Sequence, residues 1–100
     1  MRKASFTIGF NDAIEKRQIL TDERIMEIIV SVVAEQYEGA TFIPVHGLYC
    51  KAFEKSLRVE VYGAEESRDF LIMDELRKAL NQKSIAYEVA EVNSMLYGEN

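Results

Sequence analysis

The chain has 100 residues, of which 48% are hydrophobic and 29% charged, a composition typical of one small globular domain over residues 1–100. Its formal net charge of −5 argues against nucleic acid or an anionic membrane as the main partner. A single cysteine leaves no intrachain disulfide. Neither a signal peptide nor an apolar run of about 18 residues is recognisable, so we expect a cytoplasmic protein.

The first part of the chain predicts a strand, a loop and a helix. Residues 4–10 alternate apolar with small or polar side chains, which is typical of a strand with one buried face. A charged loop follows over residues 11–20. Thr21 is expected to cap a helix that begins at Asp22 and stops at Gly39. The polar positions of this helix form one stripe, which leaves an apolar face wider than one sheet contact requires.

The middle of the chain predicts two strands with a turn between them. Residues 40–50 are apolar on both faces, and Pro44 lacks the N–H that an interior strand position requires. We therefore expect this strand at a sheet edge, with a bend or bulge near Pro44 or Gly47. Residues 51–56 are expected to form the turn, and residues 57–62 the third strand.

The last third of the chain predicts a helix, a strand and a tail. Residues 65–80 have an apolar side that includes Phe70, and we expect Asp69 to lie with the other carboxylates on the solvated side. Residues 85–92 alternate as a fourth strand. The tail, residues 93–100, is apolar enough to dock on the body through Met95, Leu96 and Tyr97.

This order of elements, βαββαβ, predicts a ferredoxin-like α+β fold, which is an antiparallel four-stranded sheet with two helices on one face. In the usual form of that fold the strand order is 4-1-3-2. The opposite face of the sheet would carry a mixture of charged and small side chains. It could be solvated or could stack on a partner sheet. The apolar second strand favours a partner, because apolar edge strands need to be covered.

The candidate ligand-binding residues lie in two places. His46, Tyr49 and Lys51 lie around the single histidine and cysteine of the chain, and Lys16 and Arg17 in the first loop could bind a carboxylate or phosphate. No residue is assigned a catalytic role. A cysteine and a histidine four positions apart on an extended strand are about 13 Å apart, too far for a nucleophile and its base. No pattern indicates a metal site or a particular cofactor.

The chain resembles several groups of small ferredoxin-like proteins in its architecture. The order of elements is similar to that of the trimeric PII and CutA proteins. The chain also resembles an uncharacterised family of about this length, through Phe6-Thr7-Ile8-Gly9, Leu20-Thr21-Asp22-Glu23, Glu38-Gly39-Ala40-Thr41 and residues 81–84. The long ligand-binding loop of PII is missing between Cys50 and Leu57, so the resemblance implies the fold and not nucleotide binding.

Three hypotheses about function follow. The leading one is a homo-oligomeric ligand-binding or regulatory module, a dimer or a trimer, because the first helix and second strand carry more apolar surface than one domain buries. The alternative is a small enzyme with a pocket between the 11–20 loop and His46. The third is an adaptor for another protein, which would leave an apolar stripe exposed in the oligomer.

Overall fold

A computed structural model defines the fold and describes residues 1–94 and 97–98. In chain order the elements are β1 (Arg2–Gly9), α1 (Asp22–Gln36), β2 (Thr41–Tyr49), β3 (Ala52–Tyr62), α2 (Glu66–Ala79) and β4 (Ala86–Glu91). Thr21 caps α1 as predicted, because its side-chain oxygen accepts a hydrogen bond from the backbone N–H of Arg24 at 3.2 Å.

The four strands form one antiparallel sheet in the order β2-β3-β1-β4. This order confirms the ferredoxin-like α+β fold and the position of β2 at a sheet edge. The core lies between one face of the sheet and the two helices. Its fully buried large apolar side chains are Phe6, Ile8, Ile25, Ile29, Val33, Leu57, Val59, Val61, Ile72 and Leu76.

Only two residues join β2 to β3, so the expected turn over residues 51–56 is wrong. Cys50 and Lys51 have positive φ angles of 51° and 64°, and Tyr49 already pairs with Ala52. A two-residue turn of this kind suits the twist of antiparallel strands, but Asn or Gly usually occupies it. The residue types at positions 50 and 51 therefore do not indicate this turn, and β3 begins at residue 52 rather than 57.

The early start of β3 makes the β2–β3 hairpin longer than the rest of the sheet. β1 pairs with β3 only as far as Gly9 and Ser56, with one further backbone bond from Phe10 to Lys55. Residues 46–55 therefore form a two-stranded extension of the sheet, called the ribbon below. The molecule is elongated, with principal extents of 45 × 25 × 23 Å.

No bulge interrupts β2, whose nine residues are all described, and the expectation of one near Pro44 or Gly47 is wrong. In an antiparallel pair every second residue directs its backbone groups away from its partner strand. Pro44 stands opposite Leu57. The Lys55 carbonyl oxygen accepts the N–H of Phe10, and the N–H of Gly63, just past β3, bonds to Arg2. Every second residue of β3 between these two, Leu57 included, therefore directs its backbone groups to β1 and not to β2. The missing N–H of Pro44 therefore faces outward and costs the sheet no bond.

The buried side of α2 differs from the predicted one. Its buried residues are Asp69, Ile72, Met73 and Leu76, whereas Phe70 is half exposed. The expectation that Asp69 lies on the solvated side is wrong. Its helical spacing from Ile72 and Met73 puts the carboxylate on their stripe. A buried carboxylate requires hydrogen-bond partners, and these come from distant parts of the chain.

The expected docking of the tail on the body is not observed at Tyr97. Tyr97 is exposed rather than docked, and Met95 and Leu96 lie outside the described residues. No helix in the described part of the chain is long and apolar enough to cross a membrane.

Candidate ligand site under the 11–20 loop

The buried carboxylate of Asp69 is surrounded by hydroxyl groups. Tyr37 Oη donates to Asp69 Oδ1 and Tyr87 Oη donates to Asp69 Oδ2, each at 2.5 Å. Arg2 donates to Tyr87 Oη at 2.9 Å, and its guanidinium lies 3.7 Å from Asp69 Oδ2. Tyr37 Oη also accepts the backbone N–H of Glu65 at 2.9 Å, so it caps α2 where the Glu65 side chain makes no cap bond. These residues, Arg2, Tyr37, Asp69 and Tyr87, are called the Asp69 cluster.

The Asp69 cluster holds the fold together and does not form a reaction site. Asp69 is fully buried, and both of its oxygens are already occupied by tyrosine hydroxyls. A catalytic acid or base must reach a substrate atom, which this carboxylate cannot do. The cluster instead joins α2 to the end of α1, to β1 and to β4 through charge-assisted hydrogen bonds. Within residues 1–94 and 97–98, no group of His, Cys, Asp and Glu side chains could hold a metal ion.

The Asp69 cluster predicts alkaline unfolding. Burial and the hydrogen bond to Asp69 raise the pKa of Tyr37 from 10.0 to about 12, and they also raise the pKa of Tyr87. Because the folded state holds these protons more tightly, their stabilisation is complete below pH 10 and is lost as the pH rises towards 12. We expect part of the tyrosinate absorbance to appear only as the circular dichroism signal disappears. Ionisation of all five tyrosines before any loss of that signal would contradict this prediction.

The end of α2 fastens the start of the 11–20 loop. Asn81 follows the helix with φ of 48°, the left-handed conformation that commonly ends a helix. Its Nδ2 donates to Asp12 Oδ2 at 2.9 Å, and its carbonyl oxygen accepts the N–H of Ala13 at 2.9 Å. Gln82 Nε2 donates to the carbonyl oxygen of Asn11 at 2.5 Å. Three hydrogen bonds therefore attach the loop to the helix end.

Asp12 organises the loop from inside. Its Oδ1 accepts the backbone N–H groups of Ile14 and Glu15, both at 2.9 Å. The Glu15 N–H and the amide of Asn81 lower the pKa of Asp12, although its burial acts in the opposite direction. Asp12 is therefore an ionised residue at neutral pH that shapes the loop and has both oxygens occupied.

Glu54 attaches the ribbon to the loop. Its Oε2 accepts the N–H of Asn11 at 2.8 Å, and its carboxyl group lies so close to Gly9 that a Cβ at residue 9 would overlap it. A side chain at residue 9 would therefore displace the end of the Glu54 side chain, which bonds to Asn11. At the other end of the loop, Lys55 Nζ forms an ion pair with Asp22 Oδ2 at 3.1 Å. The base of the ribbon therefore contacts both ends of the loop.

A cavity of about 260 Å³ lies beneath the loop, between the end of β1, the start of α1 and the end of α2. Most of its lining is apolar, and its two polar side chains, Asp12 and Asn81, bond to each other. The lining residues are Gly9, Phe10, Asp12, Ile19, Leu20, Ile25, Ala79, Leu80 and Asn81. The volume lies just below the range of roughly 300–1,000 Å³ for drug-sized ligands. The cavity can therefore hold a flat ring or a short apolar group.

None of the five predicted ligand-binding residues lines this cavity. Lys16 and Arg17 are exposed on the loop that covers it, whereas His46, Tyr49 and Lys51 are exposed on the ribbon. The five therefore lie on two segments, the loop and the ribbon. Among the described residues, no side-chain hydrogen bond or ion pair involves His46, so no neighbour orients its imidazole. Their role in binding stays a prediction.

Ile19, Leu20 and Asn81 are the cavity residues that sequence reasoning missed. The charges of the 11–20 loop predict ligand contacts by Lys16 and Arg17 and do not indicate a cavity. The apolar pair directly before the Thr21 cap was the available signal, because a hydrophobic residue there commonly packs back on its helix. Asn81 could be recognised as a helix stop. Its bonds to a loop 69 positions earlier depend on the tertiary structure.

Solved structures with the same fold include two of a phage SAM lyase. In the apo state it gives a TM-score of 0.65 at 20% identity, over 89% of this chain and 78% of that chain. In complex with S-methyl-5′-thioadenosine it gives 0.66 at 19% identity, over 90% and 80%. The de novo designed protein Foldit4 gives 0.51 at 10% identity, over 92% and 98%. Neither a protein-family model nor a curated protein matches the sequence. At these identities the similarity shows the fold alone.

Proposed function

We propose that this chain is a small homo-oligomeric module that binds a sulfur-containing adenosine derivative, S-methyl-5′-thioadenosine or S-adenosylmethionine, with an apolar part of the ligand in the cavity under the 11–20 loop. The observation that carries the proposal is an apolar cavity covered by a loop that is hydrogen-bonded on both sides. A loop held in this way is ordered before the ligand arrives, which lowers the entropic cost of binding.

The chemistry of the cavity suits this ligand class. The methylthio group of S-methyl-5′-thioadenosine and the adenine face that both ligands share are apolar, and burying them against Phe10, Ile19 and Leu20 is favourable by about 25 cal/mol per Å². The cavity is too small for a whole nucleoside, so the ribose would lie at its rim. In this proposal Lys16 and Arg17, which are exposed on the same loop, bind the carboxylate of S-adenosylmethionine.

The choice of ligand is supported by the phage SAM lyase, which has a similar fold and whose solved complex contains S-methyl-5′-thioadenosine. The cytoplasmic location and the PII-like and CutA-like oligomeric architecture inferred from the sequence belong to the same proposal. In this proposal the face of the sheet opposite the helices contributes little to self-association. Its charges at Lys3, Arg58 and Glu60 are already paired within the chain, at 3.3 and 3.0 Å.

Isothermal titration calorimetry with each of the two nucleosides tests the proposal. Ile19→Glu places a carboxylate on the apolar lining, where ligand binding would have to desolvate it. We expect the affinity to fall at least tenfold, which corresponds to about 1.4 kcal/mol. Folding should be unaffected, because Ile19 is 51% exposed.

Ile14→Glu is the matched control for this variant. Ile14 belongs to the same loop, is 77% exposed and does not line the cavity, so its variant should bind like the wild type. Equal losses in the two variants would place binding outside the cavity. No heat of binding with either nucleoside at millimolar concentration would rule out the ligand class.

The alternative is a small enzyme, and the observation that favours it is that the similar phage protein is described as a lyase. Chromatographic detection of S-methyl-5′-thioadenosine formed from S-adenosylmethionine would support the alternative. A binding module should form none. If turnover is found, a His46→Ala variant with full activity would exclude His46 from the site.

A further inference from the structure

The sheet has two outer edges that no described strand covers, those of β2 and β4. Just beyond the ends of β1 and β4, the Met1 and Val92 backbones exchange two hydrogen bonds at 2.9 Å. In an antiparallel pair every second residue along the strand then bonds to the neighbouring strand, and the residues between them face away from it. The backbone groups of Tyr87, Val89 and Glu91 therefore point outward. On β2 every second residue directs its backbone groups outward. Pro44 is one of these residues, so the backbone groups of His46 and Leu48 also point outward.

The ribbon is the part of β2 most in need of a partner. Leu48 is 69% exposed and stands opposite Phe53, which is 81% exposed. A two-stranded ribbon is marginally stable in water without further contacts. Its turn adds strain, because Cys50 and Lys51 both occupy the left-handed region that side chains with a Cβ disfavour. Such strain persists where surrounding structure or function requires it.

The two edges differ in ways that favour pairing one with the other rather than each with itself. β4 carries Glu88 and Glu91 and no cation. Glu91 lies 3.0 Å from the Met1 amino group and Glu88 lies 3.9 Å from Arg58, but their side chains stay 76% and 75% exposed. Two copies of β4 would therefore bring four exposed carboxylates together. β2 carries no carboxylate, and its histidine and the neighbouring Lys51 are complementary to those glutamates. Two copies of β2 paired along their whole length would include Pro44, which offers no N–H, in the shared ladder.

We propose that the outer edge of β2 in the ribbon of one copy pairs antiparallel with the outer edge of β4 in a second copy. Directly opposed residues share a face of an antiparallel sheet. Pairing Leu48 with Val89 of the second copy therefore places Leu48 beside an apolar patch of half-exposed Val89 and Phe70. The same register sets His46 opposite Glu91 of that copy. Because the two surfaces differ, the contact is heterologous, so repeating it gives a ring where the rotation between copies closes and an open chain of copies where it does not.

This inference rests on the self-association in the proposed function and specifies how it occurs. Sedimentation velocity over a range from micromolar to about 100 µM should show a wild-type oligomer. Leu48→Glu should weaken association at least tenfold, because it buries a carboxylate beside Glu91. Val30→Glu, at a half-exposed site on α1, is the control that should leave association unchanged.

Val89→Pro tests the other surface. The Val89 N–H points outward, so proline there removes no bond to β1 but blocks a partner strand. We expect a folded monomer by circular dichroism. If Val89→Pro does not fold, Val89→Glu, at a half-exposed position, replaces it with the same expectation.

A mixing experiment separates a heterologous contact from a symmetric one. Leu48→Glu retains an intact β4 edge, and Val89→Pro retains an intact ribbon, so their mixture has one functional combination of surfaces. We expect heterodimers in the mixture and monomers in each variant alone. Oligomers that persist in both variants would overturn the arrangement while leaving self-association intact. A wild-type monomer at 100 µM would overturn both, and nucleoside binding is measured independently of either result.

Discussion

Replacing Asp69 with alanine is expected to lower the free energy of unfolding by about 3–5 kcal/mol, the cost of removing one partner from a buried charged network. The substitution leaves the hydroxyls of Tyr37 and Tyr87 without their shared acceptor and the Arg2 guanidinium without its counter-charge. A small domain is stable by roughly 5–15 kcal/mol. Urea denaturation should therefore show a midpoint shifted far towards zero, or a largely unfolded protein.

Two variants make the Asp69 result specific to the carboxylate. Asp74→Ala, at an exposed position of the same helix, should change stability by less than about 0.5 kcal/mol. The loss of stability in Asp69→Asn should lie between those of Asp69→Ala and Asp74→Ala, because an amide keeps the shape of the carboxylate and one acceptor oxygen. A fully stable Asp69→Ala protein would show that the network contributes nothing to folding.

Replacing Phe6 with alanine is expected to lower the free energy of unfolding by about 3–5 kcal/mol, as for other buried aromatic side chains. Phe6 is fully buried on the central strand β1, and its ring stacks on Tyr87 with centroids 5.4 Å apart. The cavity left behind would also remove the contact that positions Tyr87 in the Asp69 cluster. Thermal unfolding followed by circular dichroism measures the loss.

Phe53→Ala is the matched control for the core. Phe53 is 81% exposed on the ribbon, so removing its ring should leave the unfolding of the monomer nearly unchanged. The same variant should weaken self-association if the ribbon binds a second copy. A large loss of monomer stability in Phe53→Ala would mean that the ribbon packs on its own body.

Much of the fold could be predicted because it depends on patterns between near neighbours. The alternation of strands β1 and β4, the Thr21 cap and the edge position that Pro44 requires are all local rules. The β2–β3 turn could not be predicted, because Cys50 and Lys51 are unusual residues for it. Its left-handed backbone is imposed by the strand pairing on either side.

The candidate site was predicted only as far as the 11–20 loop. The positive charges of Lys16 and Arg17 predict ligand contacts there, but charge on a loop does not indicate what lies beneath it. The cavity exists because Asn81 and Glu54 bond to the first residues of the loop from two different elements. Contacts between positions so far apart in the chain have no signature in a local pattern.

By itself the sequence determined the order and type of the elements, the apolar core face of the sheet and the edge placement of β2, since these follow from side-chain period and backbone chemistry. Only the tertiary structure decided that Asp69 is buried, that Gly9 lies against the Glu54 carboxyl group and that a cavity opens under the loop. In each case the reason is physical. A buried carboxylate, a close approach or a cavity depends on partners that folding brings together from distant parts of the chain.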